Sequence, residues 1–244
     1  MQAFIGDLVE AGSVDFSNDL YTKIYFSGCD FKCPYCNTPR FLETKFEHTM
    51  DLKEVKNIME NQRGTVDGVL FTGGEPCFQK QALLELLNKA KELNLKTIVD
   101  TNGSKPEVIE TLLKSELIDV LIMDLKSPFN ETFDKTTKSA TFFKQSKDII
   151  EDVKQTLKTL RAYDEKVEII FRTTIVPGLI FRKEDLMKIA EEIEGINAVW
   201  ELQPFRSGLV YDKKMLNINS PTNSFLENLR DSITKEMPGI NIRI

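Results

Sequence analysis

Six short runs of β-branched and apolar residues, spaced by segments of helical period, limit this chain to one kind of architecture. The runs are TKIYFSG (22–28), DGVLFTG (67–73), KTIVD (96–100), DVLIMDL (119–125), VEIIFRTTIV (167–176) and AVWELQPF (198–205). Their nearly continuous apolar character is that of strands buried on both faces of a parallel sheet. Between them, Leu52, Val55, Ile58 and Met59, then Leu83, Leu84, Leu87 and Ala90, recur at helical spacing. Ile150, Val153, Leu157 and Leu160 do the same, as do Leu186, Ile189, Ala190 and Ile193. Ser104, Pro106 and Glu107 mark a helix start ahead of a Val108, Ile109, Leu112 stripe. A last helical stretch over 225–237 precedes INIRI, which suits an edge strand. Alternation of this kind gives an α/β fold on a parallel sheet, either open and doubly wound or a full or partial barrel.

No linker, repeat or low-complexity tract divides the 244 residues, so one domain spanning 1–244 is expected. The net charge of −6 argues against a nucleic-acid partner, which needs a basic face to neutralise phosphates. The first residues, MQAFIGDLVEAGSVDF, lack a basic start and an apolar run, and no later stretch has the ~20 apolar residues of a membrane span. The expected compartment is the cytoplasm, with no membrane partner. Thiols there stay reduced, which disfavours disulfides.

In either architecture, ligands bind at the C-terminal ends of the strands. The unusual residues of this chain fall there. Cysteines follow the first run, GGEP the second, DTNG closes the third, DLK the fourth, RTTIVPG the fifth and QPF the sixth. Cys29, Cys33 and Cys36 lie within eight residues, and Cys77 is the one other cysteine. A structural zinc site wants four closed ligands, with Cys77 or His48 as the fourth, and neither has the paired spacing of a zinc ribbon. A disulfide would leave an odd thiol. The third reading, supported by spacing and βα context, is a four-iron cluster on three thiolates with one iron open to an outside ligand. Cys77 reads as a small apolar residue in a helix's first turn, and His48, among polar neighbours, as exposed.

The pattern Cys29, Cys33, Tyr35, Cys36, with Gly73, Gly74, Glu75 and Pro76 after the next strand, resembles the radical S-adenosylmethionine (SAM) superfamily. The resemblance implies a partial (β/α)6 TIM-type barrel, a [4Fe-4S] cluster on Cys29, Cys33 and Cys36, and SAM chelated to the open iron. SVD at 13–15, DTNG at 100–103, DLK at 124–126, RTTIVPG at 172–178 and LQPF at 202–205 occur in the order seen in glycyl-radical-enzyme activases. The implied activity is reductive cleavage of SAM to a 5′-deoxyadenosyl radical. That radical takes a glycine Cα hydrogen from a partner glycyl radical enzyme, in first place anaerobic ribonucleotide reductase. The implied electron donor is a flavodoxin or ferredoxin.

By the same resemblance, Gly73, Gly74 and Glu75 meet the methionine ammonium. Asp100, Thr101 and Asp124 are candidate ligands of a monovalent cation, and Asp100 and Asp124 also belong to the cofactor site. Lys126 and Arg172 face the cofactor's carboxylate and ribose, Tyr35 its adenine, and Thr174 and Arg206 its nucleoside. Residues 127–143 form a polar stretch after the fourth strand that suits either admission of a partner's glycyl loop or an irregular approach to a helix. Asn37 and the stretch DFSNDLYTK depart from the activase pattern near the substrate side. The alternatives are a radical SAM enzyme acting on a small molecule, similar to 7-carboxy-7-deazaguanine synthase, and a zinc-stabilised binding module without catalysis.

Overall fold

The computed structural model describes residues 1–14 and 17–244. Asp15, the end of SVD, and Phe16, within DFSNDLYTK, lie outside the described residues. The chain divides into two compact units, the first made of Met1–Asp30, Arg40–Thr101 and Glu107–Leu121, the second of Phe31–Pro39, Asn102–Pro106 and Ile122–Ile244.

The strands and helices of the first unit are β1 (Gln2–Val14), β2 (Ser17–Phe26), β3 (Thr49–Asp51), α1 (Leu52–Asn61), β4 (Gly68–Gly73), α2 (Lys80–Glu92), β5 (Lys96–Thr101) and nearly all of α3 (Pro106–Lys114). Their strands run in the order β3-β1-β2-β4-β5. β2 pairs with β4, and β4 with β5, in parallel, whereas β1 is antiparallel to both β2 and β3. Tyr21, Ile24, Phe26, Val69, Phe71, Ile98 and Val99 are wholly buried, which is why these runs are apolar at nearly every position. The helices cover them with most of the expected stripes, Leu52, Val55 and Met59 of α1 and Leu83, Leu87 and Ala90 of α2; Ile58 and Leu84 are only half-buried, and Leu86 takes the inward place expected of Leu84.

β6 (Val120–Asp124) starts in the first unit and ends in the second. Then come α4 (Glu131–Thr137), α5 (Ser146–Arg161), β7 (Glu168–Ile175), α6 (Lys183–Ile193), β8 (Val199–Pro204), α7 (Asn223–Glu236) and β9 (Asn241–Arg243). The strand order is β6-β7-β8-β9, with β9 the edge strand expected from INIRI, parallel to β8. Trp200 Nε1 donates to Thr173 Oγ1 at 3.0 Å, and Thr173 Oγ1 donates to the Leu125 carbonyl at 2.8 Å. Both polar groups are thereby satisfied inside the apolar core.

All six expected strands are present. β1, β3 and α4 are additions, the last lying inside the stretch 127–143. None of the described helices is long and apolar enough to cross a membrane.

A polar clamp fixes the start of β5. Asp119 accepts from Thr97 N at 2.8 Å, Thr97 Oγ1 at 2.9 Å and Lys91 Nζ at 2.6 Å. Burial raises the Asp119 carboxyl, but these donors outweigh it and hold the group below its usual 3.8. A depressed carboxyl stabilises the fold above its unfolded pKa, and that contribution fades as pH falls through the folded one. With the side chain 38% exposed, Asp119→Asn should cost only about 1 kcal/mol at pH 7. Thermal melts should show that gap closing below pH 4; a gap independent of pH would contradict the clamp.

Candidate active site

The first unit contributes Cys29 and the glycine turn. β2 hands the chain to Ser27, Gly28 and Cys29, and residues 41–43 run beside them. Gly28 N donates to the Phe41 carbonyl at 2.8 Å and Cys29 N to the Leu42 carbonyl at 3.0 Å. Ser27 Oγ donates to the Glu43 carbonyl at 3.1 Å and lies 2.6 Å from His48 Nδ1. His48 is therefore not the exposed residue expected from its polar neighbours. Its side chain is 11% exposed and stands edge-on to Phe41.

The GGE turn is laced onto the same backbone. Gly74 N donates to the Phe26 carbonyl and Glu75 N to the Gly28 carbonyl, each at 2.8 Å. Gly73 has φ +114°, and a Cβ there would stand 2.4 Å from the Phe26 oxygen. At Gly74 a Cβ would meet the carbonyl oxygens of Gly28 at 2.5 Å and Phe41 at 2.6 Å. Packing alone therefore demands glycine at both positions.

Glu75 is wholly buried, and its Oε1 accepts from Cys77 N at 2.9 Å and Thr101 Oγ1 at 2.8 Å. Asp100 accepts from Thr72 Oγ1 at 3.0 Å, a partner the sequence reading missed although strand neighbours with period two place both on one face. Cys77 is buried in the short turn Pro76–Gln79, as expected. Burial, followed by the Glu75 carboxylate, pushes its thiol well above the usual range.

The second unit contributes Cys33, Tyr35, Cys36, Asp124, Lys126, Arg172, Thr174 and Arg206. A tight turn brings Cys36 N to the Cys33 carbonyl at 3.0 Å. The turn is held from outside by Lys32 N on the Thr137 carbonyl at 2.8 Å and Asp212 N on the Pro34 carbonyl at 2.9 Å. Phe31 packs edge-on against Phe133, with centroids 6.0 Å apart. These supports on α4 and the 212 loop carried no sequence signal.

β6 ends in Asp124, and Lys126 Nζ donates to its Oδ2 at 2.5 Å. Burial works against the Lys126 charge, but Asp124, then Cys33 and Tyr35, hold the ammonium well above its usual range. Burial pushes the Cys33 thiol up to about 12, and Lys126 is the group that pulls it back down. Five predicted residues thus share one electrostatic neighbourhood: Cys33, Tyr35, Cys36, Asp124 and Lys126.

The Tyr35 hydroxyl is buried without a hydrogen-bond partner. A bland core tyrosine would have one, so the phenol is ready for a polar ligand. Arg172 is half-buried on β7, and its carbonyl accepts from Leu125 N at 2.8 Å, beside the DLK turn. Thr174 is half-buried further along β7, paired in register with Gln203. Arg206 is exposed, just past β8.

All four cysteines are free thiols. Among the described residues no three His, Cys, Asp or Glu side chains are placed to hold a single metal ion. The donor set fits a cluster better. Thiolates are soft ligands suited to iron–sulfur chemistry, and in a cluster each binds its own iron, so they need not converge on one point. The half-buried Lys126 ammonium beside Cys33 opposes the rise that burial imposes on its thiol, and a cluster ligand must become a thiolate.

Comparison with known proteins gives this arrangement a family. Residues 24–193 match the radical SAM superfamily. A protein of Methanocaldococcus jannaschii named as a glycyl-radical enzyme activating enzyme is 30% identical over 100% of this chain and 97% of its own length. The pyruvate formate-lyase-activating enzyme of Clostridium pasteurianum is 27% identical over 81% of this chain and 80% of its own. A solved radical SAM methyltransferase from Sphaerobacter thermophilus shares the fold, with TM-score 0.65 and 13% identity over 97% of this chain and 76% of that one.

The chain belongs to the radical SAM superfamily, and its fold is the α/β partial-barrel class of those enzymes. Within the superfamily it groups with the glycyl-radical-enzyme activating enzymes. The cofactors of the family, a [4Fe-4S] cluster and SAM, are those of this chain.

Proposed function

We propose that the chain, as one functional domain working in the cytoplasm, activates a glycyl radical enzyme by removing a hydrogen atom from a glycine Cα. The partner we favour is anaerobic ribonucleotide reductase, with flavodoxin or ferredoxin as electron donor. One observation carries this reading: the likeness to the M. jannaschii protein runs over the whole chain and is not confined to the cysteine motif. When bound, cluster and SAM supply one-electron carbon–sulfur cleavage and a hydrogen-atom acceptor.

The residues take the following parts. Cys29, Cys33 and Cys36 hold the cluster, and Lys126 offsets negative charge beside Cys33. Gly73 and Gly74 let the backbone approach the methionine end, while Glu75, tied to Thr101 and Cys77, keeps that turn in one shape. Tyr35 turns its unpartnered hydroxyl to the adenosyl part, with Arg172, Thr174 and Arg206 along the nucleoside. Asp100, Thr101 and Asp124 offer oxygens of the kind a monovalent cation takes.

The test is electron paramagnetic resonance of the anaerobic protein with SAM, a low-potential reductant and anaerobic ribonucleotide reductase. A persistent carbon-centred doublet on the reductase is expected. Cleavage of SAM with no such doublet on the reductase or on pyruvate formate-lyase would move the assignment to a small-molecule substrate.

A further inference from the structure

Phe142 and Phe143 are each 93% exposed, the most exposed large apolar side chains of the described chain together with Phe46. They are adjacent, and their rings meet edge-to-face with centroids 5.2 Å apart. The backbone beneath them is held. Thr141 N donates to the Lys144 carbonyl at 2.8 Å, and Lys144 N to Thr141 Oγ1 at 3.1 Å, closing a turn with the two rings at its tip. On one side α4 ends at Lys138 in the left-handed region, φ 44°, and Ser139 is buried on Thr137 Oγ1 at 2.8 Å. On the other side Ser146 Oγ donates to Asp134 at 2.6 Å, and Lys144 pairs with Asp152.

A fixed turn presenting two aromatic rings to water leaves unburied apolar surface that a partner could cover. Anchors of this kind are what protein interfaces use. Two further observations say what covers them. Between Lys135 and Lys147 the sequence holds four lysines and no acidic residue, in a chain with 38 acidic and 32 basic side chains. Lys135, Lys138 and Lys147 are exposed, so the segment that carries the rings is locally cationic. The turn is also tied to the cysteine loop through α4, whose Thr137 carbonyl holds Lys32 N, next to Cys33.

We propose that this turn docks the protein substrate: Phe142 and Phe143 enter an apolar pocket of the glycyl radical enzyme whose rim carries carboxylates. The inference rests on the functional reading above and adds the surface that recognises the partner. Docking here puts the partner on an element joined by one hydrogen bond to the loop bearing two of the proposed cluster ligands. A second copy of this chain suits the surface less, because it brings the same cations.

The test compares wild type with Phe142→Ser/Phe143→Ser and with Lys138→Glu/Lys147→Glu, using anaerobic ribonucleotide reductase and pyruvate formate-lyase from the same genome. Both variants should cleave SAM under dithionite, without a partner, at the wild-type rate. With the reductase, KM for the partner should rise at least about tenfold in the double serine variant, roughly the share of one interface aromatic. The charge-reversed variant should lose the salt dependence of the wild-type rate.

An unchanged KM in the double serine variant overturns the docking assignment and leaves the functional reading intact. So does a change seen only in saturation by flavodoxin, or a wild-type dimer that the serine substitutions dissolve. If wild type itself installs no radical on either enzyme, the functional reading fails and the docking proposal with it.

Discussion

Cys33→Ser protein is expected to purify folded and without iron, while Cys77→Ser protein keeps its iron and sulfide. The two thiols are alike in burial, 5% and 2% exposed, and differ in surroundings. Lys126 stands by Cys33 and favours its thiolate, whereas Cys77 faces the carboxylates of Glu75 and Asp30. A cluster ligand must give up its proton; burial raises both thiols, and only Cys33 has a cation beside it to oppose that rise. A serine hydroxyl is a hard oxygen and a poor substitute for thiolate on iron. The loss should be at least about tenfold, because even outer partners of metal ligands change affinity by that much. Iron and sulfide analysis of anaerobically purified proteins, with circular dichroism as the control for folding, decides the matter. Equal loss in both variants would mean four protein thiolates and no open iron.

Gly74→Ala should destabilise the protein whether or not a cofactor is bound, by on the order of 4 kcal/mol. The new Cβ would press on carbonyl oxygens from two backbone segments, those of Gly28 at 2.5 Å and Phe41 at 2.6 Å, and neither can swing away like a side chain. Both segments are fixed, Gly28 N to the Phe41 carbonyl and Glu75 N to the Gly28 carbonyl. For a chain of this size the expected fall in Tm is about 10 °C. Gly208→Ala is the matched control, with nothing within 4 Å of its added Cβ. A cofactor-free Gly74→Ala protein that melts with wild type would show that the glycine answers to the ligand alone, against the packing seen here.

The strands were legible where burial on both faces left no room for polar residues, as in DVLIMDL, where Val120, Leu121, Ile122 and Met123 are all wholly buried. β1 was not. Along its thirteen residues only Ala3 and Ile5 are buried, and its pairing with β2 shifts register, so neither a continuous run nor clean alternation survives. α4 was hidden because its inner face is Phe133, Thr136 and Thr137, and threonines give no apolar period.

At the site, Asp124 and Lys126 could be read as neighbours because alternate residues at a strand end share a face. His48 could not, since its sequence neighbours are polar while its contacts, Ser27 and Phe41, come from other segments. Glu75 kept a second part out of sight: its carboxylate joins the glycine turn to the end of β5 through Thr101, a contact made only in three dimensions.

The open iron is the central claim, and the reduced protein's electron paramagnetic resonance spectrum, recorded before and after adding SAM, tests it most directly. A four-iron signal that changes shape when SAM is added is the predicted result. Zinc in place of iron, or an iron signal indifferent to SAM, would contradict it.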